Sequence, residues 1–138
     1  MNPYSPLKIY IASRWDDRED ALLIKKFIED KGLVCTSTWL TPHDEQGMDA
    51  LKNAAIEKPR QRAVKDFEDI DDADVYLVYS PKKSHRNGTG GKHVELGWAL
   101  AHGKRCVLIG ERENIFHYHP MVSVVDGVAA FLRLMEIE

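Results

Sequence analysis

The sequence predicts an α/β fold: one flavodoxin-like (Rossmann-like) domain over residues 1–138, a three-layer sandwich around a five-stranded, mostly parallel sheet ordered 2-1-3-4-5. Three observations predict it. Five short apolar runs recur along the 138 residues. Stretches with helical periodicity separate them, and strands alternating with helices imply βαβ units. The third run, Asp74–Tyr79 (DVYLVY), is apolar almost throughout, as suits a central parallel strand covered on both faces. A composition of 43% hydrophobic and 30% charged residues fits a single globular domain.

The elements follow in order. Leu7–Ala12 (LKIYIA) reads as the first strand and Ser13–Asp17 as a polar turn. Asp17, with Asp20 three residues on, suits a helix start. Ala21, Ile24, Phe27 and Ile28 form the apolar stripe of that helix, and Gly32 ends it as a C′ residue. Leu33–Thr38 reads as the second strand and Thr41–Gly47 as a polar loop. A helix is expected over Met48–Glu57. Pro59 is expected to break or kink it, with Arg62–Asp72 resuming on a stripe of Val64, Phe67 and Ile70. After the third strand, Ser80–Gly91 is a basic, Gly-rich loop. Lys92–His102 is expected to be helical, Lys104–Gly110 to hold the fourth strand, and Glu111–Pro120 to be irregular. Met121–Val125 completes the sheet, and Gly127–Met135 closes the chain as a helix.

Charge and composition narrow the function. A net charge of -3 and a pI near 6.1 provide no global basic field for duplex nucleic acid or an acidic membrane. The N-terminal residues lack a secretory pattern, and no apolar run is long enough to span a bilayer. Cys35 and Cys106 each sit in an apolar run, as buried thiols of a reducing compartment do. The expectation is a cytoplasmic protein. The six histidines show neither HExxH spacing nor a Cys cluster, so neither a metal nor a cofactor is expected.

In a sheet of this order, ligands bind beyond the carboxyl ends of the strands at the switch point between strands one and three. That places Ser13–Asp17 and Ser80–Glu95 around one crevice. Glu95 falls near the start of a helix, where the dipole favours an ionised carboxylate. Such a carboxylate can attack an anomeric carbon; the plainer reading is an acid that merely complements the dipole. Asp66 lies in the carboxylate-rich run Asp66–Asp74, most of which reads as a solvated face. Crowding by Glu95 would raise its pKa and suit it to protonating a leaving base. Trp15 could stack on a base or simply cover the core. Arg14 offers a fork for phosphate. The loop Lys82–Gly91 suits anion capture, although it is neither a Walker A loop nor a dinucleotide fingerprint. His117 could line the crevice rim.

Four segments together resemble the nucleoside 2-deoxyribosyltransferase family and the related 2′-deoxynucleoside 5′-phosphate N-hydrolases. These are Ile9–Trp15 through Asp17-Arg18, Asp66 leading to Ala73-Asp74, the Gly-rich approach to Glu95-Leu96-Gly97-Trp98-Ala99, and Gly103-Lys104 before the fourth strand. The resemblance implies that Glu95 attacks C1′ of a deoxyribose and that Asp66 assists proton transfer to the departing base. The glycosyl ester then passes to water or to a second base. It places Trp15 against the base. The substrate-binding set becomes Ser13, Arg14, Trp15, Thr89, Gly91, His93 and Asn114.

The transferases carry an Asp six residues before the nucleophile and the nucleotide hydrolases a Ser; here Thr89 stands there. A hydroxyl beside Arg14, His85, Arg86 and Lys92 tolerates phosphate better than a carboxylate would, which favours a nucleotide substrate. The resemblance further implies a homo-oligomer in which Asn114 or His117 completes a neighbour's site. Two alternatives stand beside this reading: an N-glycosidase acting on NAD or another modified nucleotide, and a non-catalytic nucleotide-binding module.

Overall fold

A computed structural model of the chain describes residues 6–40, 56–82 and 90–136. The loop expected at 41–47, residues 48–55 of the helix expected to follow it, and Thr89 with most of the Gly-rich loop lie outside the described residues. The described elements are strands β1 (Lys8–Ala12), β2 (Val34–Cys35), β3 (Val75–Ser80), β4 (Arg105–Gly110) and β5 (Val122–Val125). The α-helices are α1 (Arg18–Asp30), α2 (Glu57–Asp71), α3 (Gly91–Ala101) and α4 (Val128–Leu134). The sheet order is β2-β1-β3-β4-β5 and every pairing is parallel. The fold expected from the sequence is therefore the fold observed.

The central strands are buried on both faces. Ile9, Ile11, Leu77, Val107 and Leu108 are fully enclosed, as a parallel sheet covered by helices requires. The helix ends obey local rules. Gly32 follows α1 and Gly103 follows α3, both with positive φ. Each closes a Schellman motif: Leu33 N–H reaches Ile28 O at 3.1 Å, and Lys104 N–H reaches Ala99 O at 2.9 Å.

The structure departs from the sequence reading at several points, each for a physical reason. A single 3-10 turn, Trp15–Asp17, precedes α1. Asp17 makes no side-chain cap there; it is instead buried at 1% exposure. Phe27 leaves the expected stripe and is 55% exposed, while Ala21, Ile24 and Ile28 face the core. Pro59 does not interrupt α2. It is the third residue of that helix, within the first turn, where backbone N–H groups have no intrahelical acceptor to lose. Of the stripe on α2, Ile70 is buried and Phe67 packs against the core, but Val64 is exposed.

β2 is only two residues long, because side chains take over its ladder. Ser37 Oγ accepts from Ile11 N–H at 2.6 Å and donates to Ile11 O at 3.0 Å. Trp39 Nε1 donates to the same carbonyl at 2.8 Å. These bonds satisfy the outer edge of β1, and Thr38–Leu40 then turns away as a short 3-10 segment. The irregular segment after β4 contains another 3-10 turn, Ile115–Tyr118.

Candidate active site

Two buried tyrosines that the strand pattern concealed, Tyr10 in the middle of β1 and Tyr76 near the start of β3, tie α3 to the sheet. Tyr10 of β1 and Tyr76 of β3 are partners in the parallel register and stack with centroids 5.8 Å apart, 10° from coplanar. Both are fully buried. A buried phenol needs a partner for its hydroxyl, and both find theirs on α3. Tyr76 Oη donates to Lys92 O at 2.7 Å, fixing the helix's first turn. Tyr10 Oη donates to Glu95 Oε2 at 2.6 Å, fixing the expected nucleophile. The available sequence signal was a tyrosine in each of two adjacent parallel strands, on the face that the following helix covers.

Glu95 is therefore half-buried, with its carboxyl held against Tyr10. Its carboxyl is pushed up to about 8 from its ordinary 4.5. Burial is the main cause and the Asp66 charge adds to it, while the Tyr10 hydrogen bond and Arg62 work the other way. This corrects the expectation that the helix dipole would hold Glu95 ionised. Glu95 is the fifth residue of α3, where the dipole has faded and desolvation dominates.

Asp66 reaches the same neighbourhood from α2. Arg62, one turn earlier, binds it through Nε at 2.9 Å. Arg62 also donates to Thr38 Oγ1 at 2.7 Å and approaches Asp69 at 3.7 Å. Asp69 is a structural tie: it is buried, and it accepts from Thr38 N–H and Thr38 Oγ1 at 3.0 and 2.6 Å. Arg62 and Asp69 were absent from the sequence-based set, because a charge-dense helix conceals which of its members turn inward.

The remaining candidates gather around Glu113, which sequence reasoning also missed. Its carboxylate meets Arg14 at 2.7 Å, Lys92 at 2.8 Å and the His93 ring at 3.5 Å. Burial opposes its ionisation, but the hydrogen bond from Lys92 and the charges of Lys92 and Arg14 prevail and hold it below the usual carboxylate range. Arg14 and Lys92 are thus ion-paired within the chain, which weakens the expectation that they await phosphate. Asn114 Nδ2 lies 3.0 Å from His93 Nδ1, and its Oδ1 accepts from Phe116 N–H, capping the turn that follows. His117 is not on the rim. It is 1% exposed and its Nδ1 accepts from Glu113 N–H at 2.8 Å. Burial lowers the pKa of both His93 and His117, leaving each neutral at pH 7.

Trp15 is half-buried, 6.4 Å from the Trp39 ring, with the Arg18 guanidinium 5.1 Å over its own ring. Its core-covering role is thus visible. Ser13 bonds locally to Arg14 O. Gly91 is exposed and opens α3 after Gly90, whose carbonyl accepts from His93 N–H at 3.0 Å. His85 and Arg86 join Thr89 outside the described residues.

No protein-family model and no curated protein matches the chain. Solved structures do. A CMP N-glycosidase from Clostridium botulinum, BcmB, is similar with a TM-score of 0.56 and 18% identity, over 94% of this chain and 98% of its own. A 2-deoxyribosyltransferase from Bacillus psychrosaccharolyticus is similar with a TM-score of 0.66 and 20% identity, over 90% of this chain and 89% of its own. Both likenesses are likenesses of fold.

Proposed function

We propose that this chain is an enzyme that cleaves the N-glycosidic bond of 2′-deoxynucleosides or their 5′-monophosphates, with Glu95 as nucleophile. The observation that carries the reading is the Glu95 carboxylate itself. It is largely desolvated, held at 2.6 Å by Tyr10 and electrostatically coupled to Asp66. An acid that only complemented a helix dipole would lie in solvent. Two neighbours in fold, a CMP N-glycosidase and a 2-deoxyribosyltransferase, support the same chemistry.

In the proposed sequence, a Glu95 oxygen forms a bond to C1′ as the bond from C1′ to the base nitrogen breaks. The base leaves with a proton whose transfer Asp66 assists. Water, or a second base, then attacks C1′ of the glycosyl ester, the bond from C1′ to the Glu95 oxygen breaks to free the carboxylate, and the proton lost by the attacking group passes to Asp66. Tyr10 fixes the nucleophile's direction, a geometric contribution that is large when reacting atoms are held close. Arg62 holds the Asp66 carboxylate in one position by its ion pair at 2.9 Å. We further propose that the enzyme acts as a cytoplasmic homo-oligomer. Among the described residues no helix is long and apolar enough to cross a membrane.

Base release from deoxynucleosides and their monophosphates, followed by chromatography, tests the reading. Glu95→Gln is expected to reduce release by at least about a thousandfold. Intact-protein mass spectrometry is expected to find a deoxyribosyl adduct on Glu95. Undiminished release by the variant, or an adduct on Asp66 instead, would overturn the assignment.

A further inference from the structure

The strand that holds Glu95 also frames Asp66. Tyr10 of β1 bonds to Glu95. The next residue, Ile11, is tied to the segment after β2: Ser37 Oγ bonds to both its N–H and its carbonyl, and Trp39 Nε1 donates to that carbonyl. Thr38 lies between these two anchors, so its backbone is fixed to β1. Its own N–H donates to Asp69 Oδ2 at 3.0 Å, and Thr36 Oγ1 donates to Asp69 O at 2.8 Å. The chain after β2 is thereby tied to the last turn of α2, the helix that carries Asp66.

The Thr38 hydroxyl stands between two charged groups. It has one hydrogen to give. Asp69 Oδ2 lies 2.6 Å away, and Lys65 pairs with the other oxygen of that carboxylate at 3.0 Å, so the hydrogen goes to Asp69. A hydroxyl lone pair then accepts from Arg62 Nη2 at 2.7 Å. The same guanidinium donates through Nε to Asp66 Oδ1 at 2.9 Å. Every link of this chain, from Asp69 through Thr38 and Arg62 to Asp66, has a charged partner, and such bonds are the stronger kind. Arg62 Nη2 stops 3.7 Å short of Asp69 Oδ2. The Asp69 side chain is 4% exposed and that of Asp66 24%, so attraction to Asp69 is the less screened. Without the hydroxyl between them, the guanidinium is drawn onto Asp69 and off Asp66.

We propose that Thr38 is a positioning residue: its hydroxyl, set between Asp69 and Arg62, keeps the guanidinium on Asp66 and so keeps Asp66 placed to pass a proton to the departing base. The proposal rests on the glycosidase reading above for the role of Asp66 but is tested separately from it. The first arm compares 2′-deoxyguanosine with its N7-methyl derivative, each as nucleoside and as 5′-monophosphate. The methylated base departs as a neutral molecule and needs no proton. Thr38→Val is expected to lower kcat/KM about tenfold on the unmethylated substrate and by no more than about twofold on the methylated one. Thr38→Ser, which restores the hydroxyl, is expected to cleave both as wild type does. The ratio between substrates is insensitive to how much of a variant is folded. The second arm needs no turnover. In 1H–15N NMR the Arg62 Nε–H signal, assigned by its loss in Arg62→Lys, is expected to keep its position in Thr38→Ser and to move in Thr38→Val.

Equal loss on both substrates in Thr38→Val, failure of Thr38→Ser to restore cleavage, or an unmoved Arg62 Nε–H signal in Thr38→Val would overturn the role of Thr38. Absence of base release by wild type from every deoxynucleoside and monophosphate would overturn the glycosidase reading, and the Arg62 signal would still decide whether Thr38 holds the guanidinium on Asp66.

Discussion

At the scale of single residues, the critical contact is the hydroxyl of Tyr10 on Glu95. Burial and Asp66 raise the Glu95 carboxyl, and the Tyr10 hydrogen bond opposes them. A nucleophilic carboxylate must be ionised, so the free enzyme's rate is expected to climb with pH until Glu95 has lost its proton, near 8. Tyr10→Phe removes the donor while keeping the ring that stacks on Tyr76. Glu95 then ionises at a still higher pH. The kcat/KM profile reports groups of the free enzyme, so its rising limb is expected to move upward by about one pH unit, lowering activity at pH 7 about tenfold. A uniform loss at every pH would mean that Tyr10 serves packing alone. A rate that falls as pH rises through 8 would instead make Glu95 a proton donor.

At the scale of elements, the two carboxylates reside on different helices, so their separation depends on how α2 packs against α3. Phe67 of α2 stacks on Trp98 of α3 with centroids 4.1 Å apart and planes 5° from parallel. Trp98 Nε1 donates to Asp71 at 2.8 Å, and His102 meets the same carboxylate at 2.9 Å. Trp98→Ala removes the stack and the hydrogen bond together. It is expected to cost about 2–3 kcal/mol in denaturant unfolding, less than for a fully buried aromatic because Trp98 is partly exposed. Base release by the folded fraction is expected to fall as well, because Asp66 and Glu95 lose their common frame. Unchanged stability would show that the stack is incidental.

The same helices explain what the sequence disclosed. The order of elements and the strand runs were legible, because a buried parallel strand imposes its apolarity on every residue. Glu95 and Asp66 were singled out by their place in an ordered pattern, and the structure couples them electrostatically. Glu113, Arg62 and Tyr10 were not. Tyr10 and Glu113 acquire their roles from partners 85 and 21 positions distant, Glu95 and Lys92, of which local spacing carries no trace. Arg62 pairs with Asp66 four residues on, but so does Lys65 with Asp69, and spacing alone does not choose between them. Pro59 and Asp17 misled for the opposite reason. Their local rules hold in general, but here one falls in a helix's first turn and the other is drawn into the interior.

At the scale of the whole molecule, the Glu95 proton links folding to pH. An unfolded chain releases it near the ordinary 4.5, whereas the folded protein retains it until about 8. Between those values the folded state binds more protons than the unfolded state, so this residue makes stability fall as pH rises, by up to about 1.4 kcal/mol per pH unit. Its destabilising effect is absent below pH 4.5 and complete above 8. Glu95→Gln removes the ionisation while retaining a similar shape. Denaturant titrations at several pH values between 5 and 8.5 are expected to show the variant gaining on wild type steadily across this window, the difference levelling off above 8. A difference independent of pH would contradict the burial of a titrating carboxyl at position 95. The window in which wild type loses stability is also the one in which base release is expected to accelerate, since both follow the same proton. On the proposed mechanism, one ionisation supplies the nucleophile and weakens the fold that presents it, which is the trade expected where a charge must be generated inside a low-dielectric site.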